Sequence, residues 1–83
     1  MKFELRQIDA WNNGEDGWTY NDSFKVGEYT ERGSDGKRSF LRALHKYGIT
    51  CKRGTCRVED DGTVYELINR KTLEPYFCAN PIE

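Results

Sequence analysis

Three cysteines and one histidine are the residues of this chain best suited to chemistry. Cys51 and Cys56 bracket Lys52-Arg53-Gly54-Thr55, His45 lies shortly before them, and Cys78 stands apart. A structural zinc needs four nitrogen or sulfur ligands. The gap between Cys51 and Cys56 is at the edge of the usual ligand spacing, and no second close pair exists, so the spacing predicts no metal and no cofactor. A Cys–His nucleophile needs a third group that orients the base. None is visible near His45, Cys51 or Cys78, and no catalytic residue is assigned. Cys78, in an apolar segment, reads as a small buried hydrophobe. His45 reads as a surface residue. Cys51 and Cys56 are expected as free thiols, or as a pair that folding does not need. A Cys51–Cys56 disulfide is the alternative in an oxidising setting.

The acids offer less. Glu59-Asp60-Asp61 precedes Gly62 and reads as turn chemistry, because Asp-Gly tolerates the positive φ of tight hairpins. Paired carboxylates for acid–base work must face one another across a cleft, and nothing here supplies one. The loop Asn12–Gly17 carries oxygen ligands without the spacing of a calcium loop. No glycine motif that cradles phosphate follows a strand. The chain is read as a protein that is not an enzyme.

Charge is the more informative feature. Residues 1–31 carry three basic and seven acidic side chains, residues 32–57 eight and one, and residues 58–83 two and six. A formal net charge of −1 thus hides a central block of +7. Arg38, Arg42 and Lys46 share one face of the segment that reads as a helix, and Lys52 and Arg53 follow in a turn. A positive stripe of this kind attracts phosphate backbones or an acidic protein surface. The plain alternative is a solvated helix face, since Lys and Arg are good helix formers at exposed positions. The neutral total argues against a nonspecific coat for nucleic acid.

Aromatic residues, 13% of the chain, bear on the same question. Trp11, Trp18, Tyr20, Tyr29, Tyr65, Tyr76 and Phe77 fall on strand-like segments or at their ends. Exposed aromatics on a sheet stack bases. A domain this small also needs aromatics to fill its core, and most are expected there.

The elements that position these groups follow from periodicity. Residues 2–11 alternate, with Phe3 and Leu5 on one parity and Glu4 and Arg6 on the other, which is a strand signature. Asn12–Gly17 reads as a hairpin loop. A second strand starts at Trp18, with Trp18, Tyr20, Phe24 and Val26 on one parity and a bulge near Asp22-Ser23. Ser34 or Asp35 can cap a helix that runs to about Tyr47. At about 100° per residue, Phe40, Leu41, Leu44 and Tyr47 form its apolar stripe. Gly48 and Ile49 fit a Schellman cap. Strands then follow at Thr55–Glu59, Thr63–Asn69 and Tyr76–Asn80, with Asn69 opening the turn between the last two. Pro81-Ile82-Glu83 reads as a tail. The order is β-β-α-β-β-β. The fold class is α+β: a two-layer sandwich with a mainly antiparallel sheet, one amphipathic helix, and a second sheet face partly open to water.

Eighty-three residues make a single domain, 1–83. No stretch approaches the ~18 apolar residues of a membrane span. The N-terminus alternates charge and apolar residues and lacks the apolar core of a signal peptide. These features, with an odd cysteine count, predict a cytoplasmic protein with no membrane contact.

The layout, with Phe3–Trp11, Gly17-Trp18 and the run from Phe40-Leu41 to Gly48-Ile49, resembles small uncharacterised proteins encoded on bacterial phages and conjugative elements. That resemblance implies no activity; it implies an accessory binding role, toward nucleic acid or a host protein. A helix followed by three meander strands is also similar to the middle of double-stranded-RNA-binding domains. That family needs a further C-terminal helix where this sequence has a strand, so its RNA-contacting residues are not carried over.

The expected function is a non-catalytic binding module. It contacts a nucleic acid or an acidic protein surface through Arg38, Arg42, Lys46, Lys52 and Arg53. The alternative is a protein–protein module, a homodimer or an inhibitor of a host protein, that uses the open sheet face or a sheet edge.

Overall fold

A computed structural model describes residues 1–15 and 17–82. Asp16 of the first hairpin loop and Glu83 of the expected tail lie outside the described residues. The elements are β1 (Lys2–Asn12), β2 (Trp18–Thr30), α1 (Gly36–Lys46), β3 (Cys56–Asp60), β4 (Tyr65–Asn69) and β5 (Pro75–Ile82). The five strands form one antiparallel sheet in the order β2-β1-β5-β4-β3. Strands β2 and β3 are therefore the two edges. The helix joins one edge to the other and covers the central strands on one face.

The core lies under that helix. Phe3 and Leu5 from β1, Leu67 from β4 and Ala79 from β5 meet Phe40 and Leu44 of α1. A chain of rings crosses it: Tyr29 stacks on Phe3 at 5.4 Å, Phe3 meets Tyr65 at 5.5 Å, and Tyr65 stacks on Phe40 at 5.9 Å. Phe40 is fully buried, and its truncation to Ala would cost about 3–5 kcal/mol. Tyr65 also explains Gly36: its hydroxyl lies where a Cβ on Gly36 would stand, and it donates to Glu31 at 3.0 Å.

Helix capping is local chemistry. Asp35 is the N-cap and accepts from the Arg38 N–H at 3.1 Å. At the other end Gly48 adopts φ 77°. The Ile49 N–H then reaches the Leu44 carbonyl at 2.9 Å and the Gly48 N–H reaches His45 at 3.0 Å, the two bonds of a Schellman motif. The buried stripe differs from the one read in the sequence. Phe40, Ala43 and Leu44 are buried, whereas Leu41 and Tyr47 are exposed. Ala43 takes the place because the helix rolls toward β2, which lifts Leu41 to the β3 side.

The first hairpin departs most from simple alternation. Pairing of β1 with β2 shifts between Leu5 and Arg6 and again between Asp9 and Ala10. Each shift leaves one extra residue on β2, at Val26 and at Asn21. The second reverses the parity read across Trp18–Val26. Phe24 lies opposite Gln7, on the helix side, while Tyr20 lies opposite Ala10, on the other. Bulges add local twist, and the hairpin curls over the face away from the helix. There the Trp18 Nε1–H donates to the Thr72 carbonyl at 2.8 Å, and the Tyr20 hydroxyl donates to Glu66. Tyr20 thus spans from one sheet edge to β4.

That opposite face is not an open apolar surface. Lys2 and Lys25 both pair with Glu28, Arg6 with Glu4, and Arg57 with Glu59. The expected tail is also corrected: Pro81 and Ile82 belong to β5 and lie opposite Phe3 and Lys2. The Asn69 side chain accepts from the Lys71 and Thr72 N–H groups, both at 2.9 Å, so it does open the β4–β5 turn. That turn closes on Leu73 in the left-handed region at φ 66°, which nothing in its side chain announces.

Candidate anion-binding surface

The residues of the central basic block sort onto the helix side of the sheet and its borders. Arg42 and Lys46 project along the flank of α1 that faces β2. With Arg32, Ser39, Tyr29 and the Lys2–Glu28 ion pair at its border, they line a groove of about 390 Å³. Lys52 and Arg53 lie on the other side of the helix. They border a second groove, of about 260 Å³, whose other walls include Leu41, His45, Ile49, Val58 and the Cys51–Cys56 pair. Arg38 lines neither groove and occupies the exposed crest of α1. The five predicted residues therefore share one side of the molecule but not one pocket. Arg32 joins them in the first groove; it stands in the basic block of the sequence but ahead of the helix face, so helical periodicity alone passes over it.

The cations of the chain fall into a paired and an unpaired set. Lys2, Arg6, Lys25 and Arg57 each pair with a carboxylate within the chain. Among the described residues, no ion pair engages Arg32, Lys37, Arg38, Arg42, Lys46, Lys52 or Arg53. These seven are also exposed. His45 and Lys46 lie in the last helical turn, where positive charge also complements the helix dipole.

Negative charge gathers at the β3–β4 hairpin. Glu59, Asp60, Asp61 and Glu66 surround a shallow depression there. Asp61 accepts from the N–H groups of Thr63 and Val64 at 2.9 and 2.8 Å, and these bonds hold its carboxyl below the usual range. The residue is spent on the turn.

Cys51 and Cys56 form a disulfide, with Cα atoms 6.3 Å apart, so they are not the free thiols the sequence reading placed first. The bond closes a small ring around Lys52 and Arg53 and fixes that basic turn against the start of β3. Cys78 is half-buried on the face away from the helix, opposite Arg6 and Glu66 in the ladder. Burial, and then the Glu66 charge, push its thiol up. His45 is exposed on α1, so the sheet separates it from Cys78. No group of three or more His, Cys, Asp or Glu side chains among the described residues is placed to hold a metal ion.

The aromatic residues divide by role. Tyr29, Tyr65 and Phe77 pack against the core. Trp18 and Tyr20 anchor the curled hairpin. Trp11 and Phe24, at 53% and 54% exposure, are left on the helix-side face of the hairpin beyond Tyr47. Asp9 and Asp22 stand between them in the ladder. The Tyr29 hydroxyl is buried beside the first groove, without a hydrogen-bond partner among the described residues. No helix among the described residues is long and apolar enough to cross a membrane.

Comparison of the chain with protein-family models, with curated proteins and with solved structures found no match.

Proposed function

We propose that this protein is a non-catalytic binding module whose helix side receives a polyanion, with nucleic acid as the first candidate. The reading rests on one observation: among the described residues, seven exposed cations of the central basic block enter no ion pair, whereas Lys2, Arg6, Lys25 and Arg57 each pair with a carboxylate. Exposed, unpaired Lys and Arg are the groups that replace counterions along a phosphate backbone. Arg32, Arg42 and Lys46 flank the first groove, Arg38 crowns the helix, and Lys52 and Arg53 extend the field to the turn. An accessory contact of this kind suits the small mobile-element proteins that the sequence resembles.

The test is binding of fluorescently labelled single- and double-stranded DNA and RNA over a salt series. For several phosphates engaged, log affinity falls with log salt with a slope of about −0.7 to −0.9 per phosphate. Absence of binding to all four at low salt removes nucleic acid and leaves an acidic protein surface as the partner. The other sequence reading, a protein contact on an open sheet face, loses support from the ion pairs and curled hairpin that occupy that face.

A further inference from the structure

We infer that the β3 edge is a self-association surface, on which a second copy of this chain adds its own β3 antiparallel to extend the sheet. The inference does not rest on the proposed anion contact, although the seam lies beside the Lys52-Arg53 turn. It starts from the backbone. The Asp61 N–H bonds to the Val64 carbonyl, and the Thr55 carbonyl accepts from Arg70. Residues 55 and 61 thus turn their backbone groups toward β4. Alternation along a strand gives Arg57 and Glu59 the same direction and turns the N–H and C=O of Cys56, Val58 and Asp60 outward, away from β4. β3 is the last strand of the sheet, so this row faces outward and can pair with another strand.

The side chains select the register. Arg57 and Glu59 lie on the face away from the helix and pair with each other at 2.7 Å. A two-fold axis through Val58 sets Val58 opposite Val58 of the second copy, and Arg57 opposite Glu59 of the second copy, twice. An axis through Arg57 or through Glu59 would instead set like charges face to face, which is destabilising. The Val58 register also brings Asp61 of the second copy opposite Thr55, beside the basic turn, opposite in sign. About six backbone hydrogen bonds can form in this arrangement. On the helix side Val58 lines the same groove as exposed Leu41, so the second groove of each copy flanks the seam. The other edge is unsuited: the bulges at Val26 and Asn21 break the ladder of β2. Five residues of edge strand bury less than the ~800 Å² per partner of a standard interface, so the dimer is a weak, reversible one. It leaves Arg32, Arg38, Arg42 and Lys46 open, with both helices on one side of the joined sheet.

Sedimentation equilibrium over a wide concentration range, on Arg57→Glu and Glu59→Arg variants, tests this. Both substitutions fall on exposed positions, and far-UV circular dichroism checks that each variant folds. Wild-type protein is expected to move from monomer to dimer as concentration rises. Each variant alone sets like charges opposite each other and is expected to stay monomeric. An equimolar mixture restores opposite charges in both cross-strand pairs and is expected to form a heterodimer. A wild-type chain that stays monomeric at the highest concentration overturns the inference. So does association that either variant leaves intact, or a mixture no better than its components.

Discussion

The hydroxyl end of the Tyr47 ring lies against Gly27, so close that a Cβ on Gly27 would overlap it. The Tyr47 hydroxyl, 3.1 Å from the Glu28 carbonyl, donates to it and accepts from the Glu28 N–H at 3.3 Å. One side chain at the C-cap of α1 thus ties the end of the helix to edge strand β2. Gly27 is the residue that permits the approach, at the point where the Val26 bulge turns the strand.

Gly27→Ala therefore displaces Tyr47 and loses both contacts, at a cost of about 1–2 kcal/mol. In a Tyr47→Ala background the same substitution should be neutral or slightly stabilising, because Gly weakens a strand interior when nothing needs the space. Urea denaturation of the two single variants and the double variant measures the coupling. Additive effects would show that the ring does not depend on Gly27.

Alternation and capping signals make the elements of this chain legible, because they are set within a few residues. Phe3/Leu5, Asp35, Gly48 and Asn69 all do what their local sequence predicts. What escapes is set by partners distant in sequence. Tyr47 reads as core on a helical wheel, yet it covers β2 at the surface because Gly27 leaves room there. Pro81 and Ile82 read as a tail, yet β1 offers them a ladder. The bulge expected near Asp22-Ser23 falls at Asn21 and sends Tyr20 to the face opposite Phe24, a reversal that the single parity read across Trp18–Val26 does not follow.

The latch between the first hairpin and the β4–β5 end gives a second prediction. Tyr20 donates to the Glu66 carboxylate and Trp18 to the Thr72 carbonyl. Burial, and then the bond to Glu66, push the Tyr20 phenol well above its ordinary value. Tyr20 is more than half exposed, so solvent screens the bond and Tyr20→Phe is expected to cost only about 1 kcal/mol globally. The local effect is larger: amide hydrogen exchange in residues 10–20 should accelerate, while that of β4 and β5 stays unchanged. Equal acceleration throughout the sheet would show that Tyr20 acts on global stability and not as a latch.

The candidate surface was legible as composition and only partly as geometry. The excess of Lys and Arg over residues 32–57 needs no structure to be seen. Its split by the helix does: Arg42 and Lys46 go to one groove, Lys52 and Arg53 to the other, because α1 runs across the sheet from edge to edge. Arg57 leaves the set because strand alternation turns it to the far face, where Glu59 neutralises it.

Closing the Cys51–Cys56 ring removes freedom from the unfolded chain. For so short a loop the entropic gain is about 2 kcal/mol. Cys51→Ser with Cys56→Ser should lower stability by that amount and leave the fold intact, since the core around Phe40 does not include either sulfur as a buried member. Thermal denaturation of oxidised wild type, reduced wild type and the double variant tests it. The last two should agree. A double variant that fails to fold would make the disulfide a requirement and not an increment.

Acid sensitivity follows from two carboxylates. Lys25 and then Lys2 hold the Glu28 carboxyl below its ordinary value, and the backbone N–H groups of Thr63 and Val64 do the same for Asp61. For a group whose folded pKa is depressed, the stabilisation is complete above the unfolded pKa and disappears as pH falls through the folded one. The stabilising contribution of both residues is therefore present at neutral pH and is lost below about pH 4, the ordinary carboxylate range. Glu28→Gln and Asp61→Asn remove the titrating proton while they keep the side-chain shape. Each variant should be less stable than wild type at pH 7 and should approach it at acid pH, so that the Tm-versus-pH curve flattens. High salt should shrink the Glu28 effect more than the Asp61 effect, because an exposed ion pair is screened and a hydrogen-bonded turn is not. Parallel Tm curves for wild type and either variant across that range would show that the carboxylate does not titrate against folding.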